Sequence, residues 1–184
     1  GMGGFTTDNP GTFNVLGFNT YGPYSSIGID DNNAVHVSYY DIDGERLVYS
    51  AYRNGTWSET TSVDETDSLG QWTSLDTWGG TGGQVGITYT DIGDGNLYFA
   101  YKGIGKPDTD WTTQAVDKGT FNQTSLAFAG PNSAHISYNN VGGGMKYAVS
   151  NPEPGFSLLA LLSAGIGGLF IRRQKRLAAA EQNE

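Results

Sequence analysis

Apolar and polar residues alternate over short stretches of residues 1–151, and clusters of turn-forming residues separate these stretches. The clearest case is Val-His-Val-Ser-Tyr-Tyr at residues 35–40. Alternation of this kind predicts a β-strand with one buried face. Asp, Asn and Gly fill the segments on either side, residues 30–33 and 41–45, which is typical of tight turns. No stretch of residues 1–151 has a helical period, so the pattern predicts an all-β fold.

A unit of about fifty residues recurs along this part of the chain. Ser26, Ser74 and Ser125 lie 48 and 51 residues apart, and Tyr39, Tyr89 and Tyr138 recur at nearly the same spacing. Each unit predicts up to four short strands, as in a β-propeller blade; a β-sandwich is the alternative. The predicted organisation is the outer strand of a preceding blade and a linker in residues 1–23, blades in 24–71 and 72–122, and an incomplete blade in 123–150.

About three blades are fewer than the four or more with which propellers close. Either further blades precede this sequence in a longer protein, or two chains pair as a homodimer with six blades. Residues 1–23 also show no basic and apolar export leader. We therefore expect the sequence to be a fragment of a longer protein.

Composition and charge exclude some classes of function. With 19 acidic and 10 basic residues, a net charge of −9 and no cysteine, the chain is a poor partner for nucleic acid and holds no disulfide or thiolate metal site.

Residues 155–171 form an uncharged apolar stretch of 17 residues, about 26 Å long as a helix. A positive cluster follows it, formed by Arg172, Arg173, Lys175 and Arg176. This order predicts a transmembrane helix with residues 1–151 on the outer side of the membrane.

Pro152, Glu153 and Pro154 directly precede the apolar stretch. Pro-Glu-Pro, a short hydrophobic helix and an Arg-rich cluster resemble, over residues 151–176, the PEP-CTERM sorting signal of Gram-negative bacteria. The resemblance implies an exosortase as a partner. It also implies a precursor anchored in the inner membrane and a mature protein at the cell surface or outside the cell, in exopolysaccharide and biofilm. A polar tail, residues 177–184, follows the cluster; the family usually ends sooner.

The repeats are similar to bacterial propeller blades of the sialidase (BNR) type, with strands such as His-Val-Ser-Tyr-Tyr-Asp at residues 36–41. The resemblance implies a blade and not an activity. The Asp-box Ser-x-Asp-x-Gly-x-x-Trp is not met before Trp57, where Ser50, Tyr52 and Asn54 hold the three leading positions. Residues 1–151 hold two arginines, Arg46 and Arg53, so they lack the catalytic arginine triad of sialidases.

Residues that break the repeat are the candidates for function. Four aromatic residues could stack on a sugar ring or pack in the core: Trp72, Trp78, Tyr40 and Tyr101. Two acidic turns offer oxygens for calcium, although turn formation alone also explains them; their acids are Asp41, Asp43, Asp91 and Asp94. His36 and His135 share one blade position, which favours a structural role over metal or acid–base chemistry.

The sequence thus predicts an exported, surface-sorted propeller protein that binds carbohydrate or serves the envelope matrix without catalysis. No catalytic residue, and no cofactor other than calcium, is assigned. The alternative is a propeller glycosidase or lyase that acts on polysaccharide through carboxylates such as Asp76, Asp94 or Asp110, with part of its active site in blades outside this sequence.

Overall fold

The computed structural model describes residues 21–64, 69–79, 82–91 and 93–150, and within these ranges every regular element is a β-strand. The strands form three antiparallel sheets, as expected from segments rich in β-branched and aromatic residues. The prediction of an all-β fold is confirmed for this part of the chain.

The first sheet contains five strands in four positions. Strands β1 (Tyr21–Ile29), β2 (Val35–Asp41) and β3 (Arg46–Arg53) follow one another, and β4 (Thr56–Trp57) and β5 (Thr61–Ser62) both pair with β3. The fourth strand predicted for this unit is therefore split. Ser58 lies in the gap, where its hydroxyl accepts a hydrogen bond from the backbone N–H of Ala51 at 3.0 Å.

The second and third sheets repeat this order. In the second sheet, β6 (Leu69–Trp78), β7 (Gln84–Asp91), β8 (Leu97–Gly103) and β9 (Thr112–Asp117) lie side by side in chain order. The third sheet consists of β10 (Phe121–Gly130), β11 (Ser133–Asn140) and β12 (Gly144–Val149). It has three strands among the described residues, and the sequence predicted that this unit lacks its outer strand.

A backbone irregularity recurs near the start of the first strand of each sheet. Tyr24, Trp72 and Gln123 have φ of 73°, 52° and 54°, and each lies where the strand register shifts. Such β-bulges bend a strand and re-aim its side chains. The bulge thus sets the direction of Trp72.

Two hydrophobic cores join the sheets. In the first core, Leu47 and Tyr49 of the first sheet pack with Leu75, Ile87 and Tyr89 of the second sheet. The second core lies on the other side of the second sheet, and its members are Leu97, Phe99, Phe121, Leu126, Ala134, Ile136 and Tyr138. The second sheet is consequently covered on both faces.

The same three hydrogen bonds occur at both junctions. Ser26 accepts from the Leu75 N–H (2.8 Å) and Ser74 accepts from the Leu126 N–H (3.1 Å). Hydroxyls pair between Ser38 and Thr73 and between Thr88 and Thr124, each at 2.9 Å. Tyr89 donates to Asp64 and Tyr138 to Asp117, each at 2.9 Å. These contacts explain why the serines and tyrosines recur in the sequence.

The predicted sorting segment lies outside the described residues. This applies to the Pro152–Glu153–Pro154 motif, to residues 155–171 and to the four bases from Arg172 to Arg176, as well as to most of residues 1–23. Within the residues that the structure describes, no helix has the length and apolar character needed to cross a membrane.

Candidate functional site: a cavity between the second and third sheets

A cavity of about 390 Å³ opens where the second and third sheets meet. It lies at the end of the sheets where β6 and β10 begin and β7 and β11 end. Gln71, Trp72, Asp91 and Asp94 line it from the second sheet, and Phe121 and Asn122 line it from the third. The cavity is thus lined by two aromatic residues together with acidic and amide residues.

Trp72 is held in place from two directions. Its ring centroid lies 4.5 Å from that of Tyr24 in the first sheet, with a 49° tilt between the rings. Its carbonyl oxygen accepts a hydrogen bond from the hydroxyl of Thr124 in the third sheet at 2.6 Å. The half-buried Trp72 thus packs its ring on the first sheet and bonds the third sheet through its backbone.

Asp91 is the last residue of β7, and Asp94 lies in the turn between β7 and β8. Asp91 accepts a hydrogen bond from the Gly93 N–H at 2.6 Å, and Asp94 accepts from the Asn96 N–H at 2.8 Å and the Tyr98 hydroxyl at 2.9 Å. Partial burial and the nearby charge of Asp94 raise the pKa of Asp91. Burial also acts to raise the pKa of Asp94, but the hydrogen bonds from Asn96 and Tyr98 outweigh it and lower that pKa. Asp94 is therefore the stronger acid of the two.

The matching turn of the first sheet contains an ion pair. Asp41 is 1% exposed and lies 3.4 Å from Nε of Arg46. Asn96 takes the position of Arg46 in the second sheet, because each residue directly precedes the matching Leu47 or Leu97. Among the described residues, no Lys or Arg forms an ion pair with Asp91 or Asp94. The side-chain amide of Asn96 instead donates a hydrogen bond to Asp94 Oδ2, so neutral donors and not a cation hold this carboxylate.

The acids predicted for calcium lie in two separate turns. Asp41 ends β2 and the exposed Asp43 lies in the turn after it, whereas Asp91 ends β7 and Asp94 lies in the turn after that strand. Among the described residues, no three or more His, Cys, Asp or Glu side chains are grouped as a metal ion would need.

The four aromatic residues predicted for stacking occupy different environments. Trp72 lines the cavity, whereas Tyr40 is 7% exposed. Tyr101 stacks on Phe99 with a centroid distance of 5.5 Å and packs against the second core. Trp78 lies at the opposite end of β6, half-buried, and its Nε1 has no hydrogen-bond partner among the described residues.

A second cavity, of about 460 Å³, lies at the opposite end of the first two sheets. Asp30, Tyr52 and Arg53 contribute to its lining. Arg53 makes a bidentate pair with Asp108, with both nitrogen–oxygen distances at 2.8 Å, and the buried Lys102 lies 3.1 Å from the same carboxylate. This cluster has no signal in the sequence, because 55 residues separate Arg53 from Asp108.

A buried chain of polar groups leads inward from this second cavity. His36 Nε2 lies 3.3 Å from Asp30 Oδ2, and His36 Nδ1 lies 2.6 Å from the Tyr49 hydroxyl. Burial lowers the pKa of His36 and raises that of Tyr49, which is 0% exposed. Both groups are therefore buried and held neutral at pH 7.

The same pair recurs in the third sheet, where His135 Nδ1 bonds the Tyr147 hydroxyl and Nε2 lies 3.2 Å from Ser133 Oγ. In the second sheet Gly86 replaces the histidine. An added Cβ there would lie 2.6 Å from Cζ of Phe128, whose ring fills the space. Repetition inside the sheets gives the histidines a structural role.

The carboxylates considered for catalysis do not converge. Asp76 lies within β6 and accepts a hydrogen bond from the Phe128 N–H at 2.7 Å. Asp110 is exposed in the β8–β9 connection, at the end of the second sheet opposite to Asp94. The structure therefore does not place any two of Asp76, Asp94 and Asp110 across a common cleft.

The described residues thus form an all-β chain of antiparallel sheets with a polar cavity that contains a tryptophan. No protein-family model and no curated protein matches the chain. Among solved structures it is similar to a mutant of the Aleuria aurantia lectin in complex with Fucα1-6GlcNAc, with a TM-score of 0.38 and 15% sequence identity. The alignment covers 71% of this chain and 47% of the lectin chain, so the likeness spans about half of the lectin.

Proposed function

We propose that this chain is a non-catalytic carbohydrate-binding protein made of β-propeller blades, exported and sorted to the cell surface. The observation that carries the proposal is the cavity between the second and third sheets. This cavity is lined by Trp72, by the acidic residues Asp91 and Asp94, and by Asn122.

Sugars suit this combination of groups. The C–H groups on one face of a pyranose pack on an aromatic ring, and the hydroxyls at its edge donate hydrogen bonds to carboxylate and amide oxygens. Two carboxylates and a net charge of −9 repel uronate or sulfate groups. The ligand class is therefore a neutral glycan. Its hydroxyls donate hydrogen bonds to the lone pairs of the Asp91 and Asp94 carboxylates that are not used within the turn.

The burial pattern supports the propeller architecture. Six consecutive residues of β7, Val85 to Thr90, are buried, and a hydrophobic core covers each face of this sheet. In a two-layer sandwich each sheet buries one face and exposes the other. A sheet enclosed on both sides by identical junctions fits a stack of blades instead.

Export and sorting are proposed from the sequence. The uncharged apolar stretch at residues 155–171, with Pro152–Pro154 before it and the basic cluster after it, supports an exosortase substrate that is held in the inner membrane until it is processed. The binding cavity then faces the polysaccharide outside the cell.

Binding is tested by titration of neutral oligosaccharides, chosen from a glycan array, into the full chain. Trp72→Ala should weaken the best ligand about tenfold, or ~1.4 kcal/mol, and Trp72→Phe should retain most of the affinity. Asp91→Asn should weaken binding because the amide nitrogen cannot accept a hydrogen bond.

Trp78→Ala is the matched control, since it removes the same ring from the other end of the same strand. Equal losses in the Trp72 and Trp78 variants would contradict the cavity as the site. The release of new reducing ends or unsaturated products from a polysaccharide would favour the alternative function, a glycosidase or lyase.

A further inference from the structure

The third sheet leaves one apolar face open. Met145, Tyr147 and Val149 of β12 are 76%, 63% and 44% exposed. In the first sheet the matching residues of β3 are Leu47, Tyr49 and Ala51, which all have an exposure of 0% because the second sheet covers them. The face of β12 therefore has the apolar residues that a following sheet buries elsewhere in the chain, but among the described residues no sheet covers it.

The first sheet leaves the opposite kind of face open. Ile27 and Ile29 of β1 are 64% and 61% exposed. Leu75 in the second sheet and Leu126 in the third hold the position of Ile27, and their exposures are 5% and 7% because each packs against the preceding sheet. Ile27 thus lies at the position that packs against the preceding sheet in the second and third sheets.

The polar groups of the two open faces are complementary. Where the second and third sheets meet, Ser74 accepts a hydrogen bond from the Leu126 N–H, and the hydroxyl of Thr88 pairs with that of Thr124. On the open face of the third sheet, Ser125 holds the position of Ser74 and Ser137 holds that of Thr88. On the first sheet, the Ile27 N–H and Ser25 hold the positions of that Leu126 N–H and of Thr124. Docking of the first sheet on the third would therefore repeat two of the recurring hydrogen bonds.

We propose that the third sheet of one chain docks on the first sheet of a second copy of this chain, head to tail. Each chain carries both surfaces of this interface, one on its first sheet and one on its third. The two surfaces would meet in the same register as the sheets that already pack within the chain. Contacts between unlike surfaces close into rings when the rotation permits, and two chains with three sheets each would contribute six sheets. This inference goes beyond the proposed function, because the Trp72 cavity lies within one chain.

The test is the mass of the full chain by analytical ultracentrifugation over a range of concentrations. We expect association to at least twice the chain mass of 19.6 kDa. Met145→Glu and Ile27→Glu each place a charge at an exposed position, so the chain still folds, but in the docked state that charge would be buried. Each should weaken association about tenfold or more.

Two controls make the result specific. Ile42→Glu changes a residue of the β2–β3 turn that is 41% exposed and lies outside both faces, and it should leave the association unchanged. A mixture of Met145→Glu and Ile27→Glu chains should regain association, because one unaltered junction forms between an intact third-sheet face and an intact first-sheet face.

Three results would overturn the inference. A single-chain mass at every concentration would show that a second copy does not occupy the faces. Association that survives in both Glu variants would come from another part of the chain, such as the apolar stretch at residues 155–171, which is the same in all variants. A mixture that stays dissociated would contradict the head-to-tail arrangement.

Discussion

At the scale of single residues, the middle sheet depends on the absence of a side chain. Gly86 occupies the position of His36 and His135, and the space of an imidazole is taken by Phe128 and Phe99. A Cβ at Gly86 would lie 2.6 Å from Cζ of Phe128 and 2.9 Å from Cε2 of Phe99, which is closer than van der Waals contact permits.

Gly86→Ala should therefore destabilise the fold by about 2 kcal/mol, the cost of overpacking a well-packed core. Urea unfolding at pH 7 measures this change. Gly130→Ala is the control, because nothing lies within 4 Å of its added Cβ, and it should leave the unfolding midpoint nearly unchanged. A Gly86→Ala variant as stable as the parent chain would show that this core accepts an extra methyl group.

Residues that recur could be interpreted from the sequence, and residues that meet across sheets could not. The spacing of Ser26, Ser74, Tyr89 and Tyr138 indicated an architectural role, and the structure shows them at the sheet junctions. The bidentate pair of Arg53 and Asp108 has no periodic signal, because it occurs once and depends on the packing of two sheets.

At the scale of elements, the strand pattern was predictable and its irregularities were not. Alternation identified the strands, but not the split of the outer strand at Ser58. It also did not show the bulges at Tyr24, Trp72 and Gln123, since these three side chains have no common preference for positive φ. The bulge matters for the site, because it sets the direction of Trp72.

The first two sheets are also joined by the charge cluster around Asp108. Burial alone would raise the pKa of Asp108, but hydrogen bonds from Arg53 and Lys102 outweigh burial and lower the pKa to about 2. The unfolded chain has the ordinary value near 3.8. The ionised carboxylate therefore contributes about 2 kcal/mol of stability above pH 4, which is lost as the pH falls through about 2.

Asp108→Asn should lower the free energy of unfolding at pH 7 by about 3 kcal/mol, because Arg53 and the buried Lys102 lose their counterion. The stability of the variant should also change less between pH 4 and pH 2 than that of the parent chain. Urea titrations at pH 7, 4, 3 and 2 measure both effects. Asp43→Asn, at an exposed turn residue, should reproduce the parent profile. Identical profiles for the Asp108→Asn variant and the parent chain would contradict the role of the cluster.

At the scale of the whole molecule, charge and hydropathy separate two parts of the chain. Residues 1–151 carry 16 acids and 6 bases, whereas the stretch from 155 to 171 carries no charge and is followed at once by four bases. This contrast is visible in the sequence without any fold, and it is the basis of the proposed export and membrane anchoring.

The anchoring proposal predicts that the full chain, produced behind an export leader, sediments with membranes and resists carbonate extraction. Leu162→Arg should move it to the soluble fraction, since a charge near the middle of the segment costs about 3 kcal/mol on insertion. Ala178→Arg, in the polar tail, should not. An unsubstituted chain recovered in the soluble fraction would contradict the predicted anchor.

The most direct test of the proposed function is an electron-density map of the chain saturated with its best neutral oligosaccharide. We expect sugar density in the cavity between the second and third sheets, with one ring face on Trp72 and hydroxyls toward Asp91 and Asp94. Density at the Arg53 cavity, or an empty Trp72 cavity in a saturated complex, would contradict the proposed site.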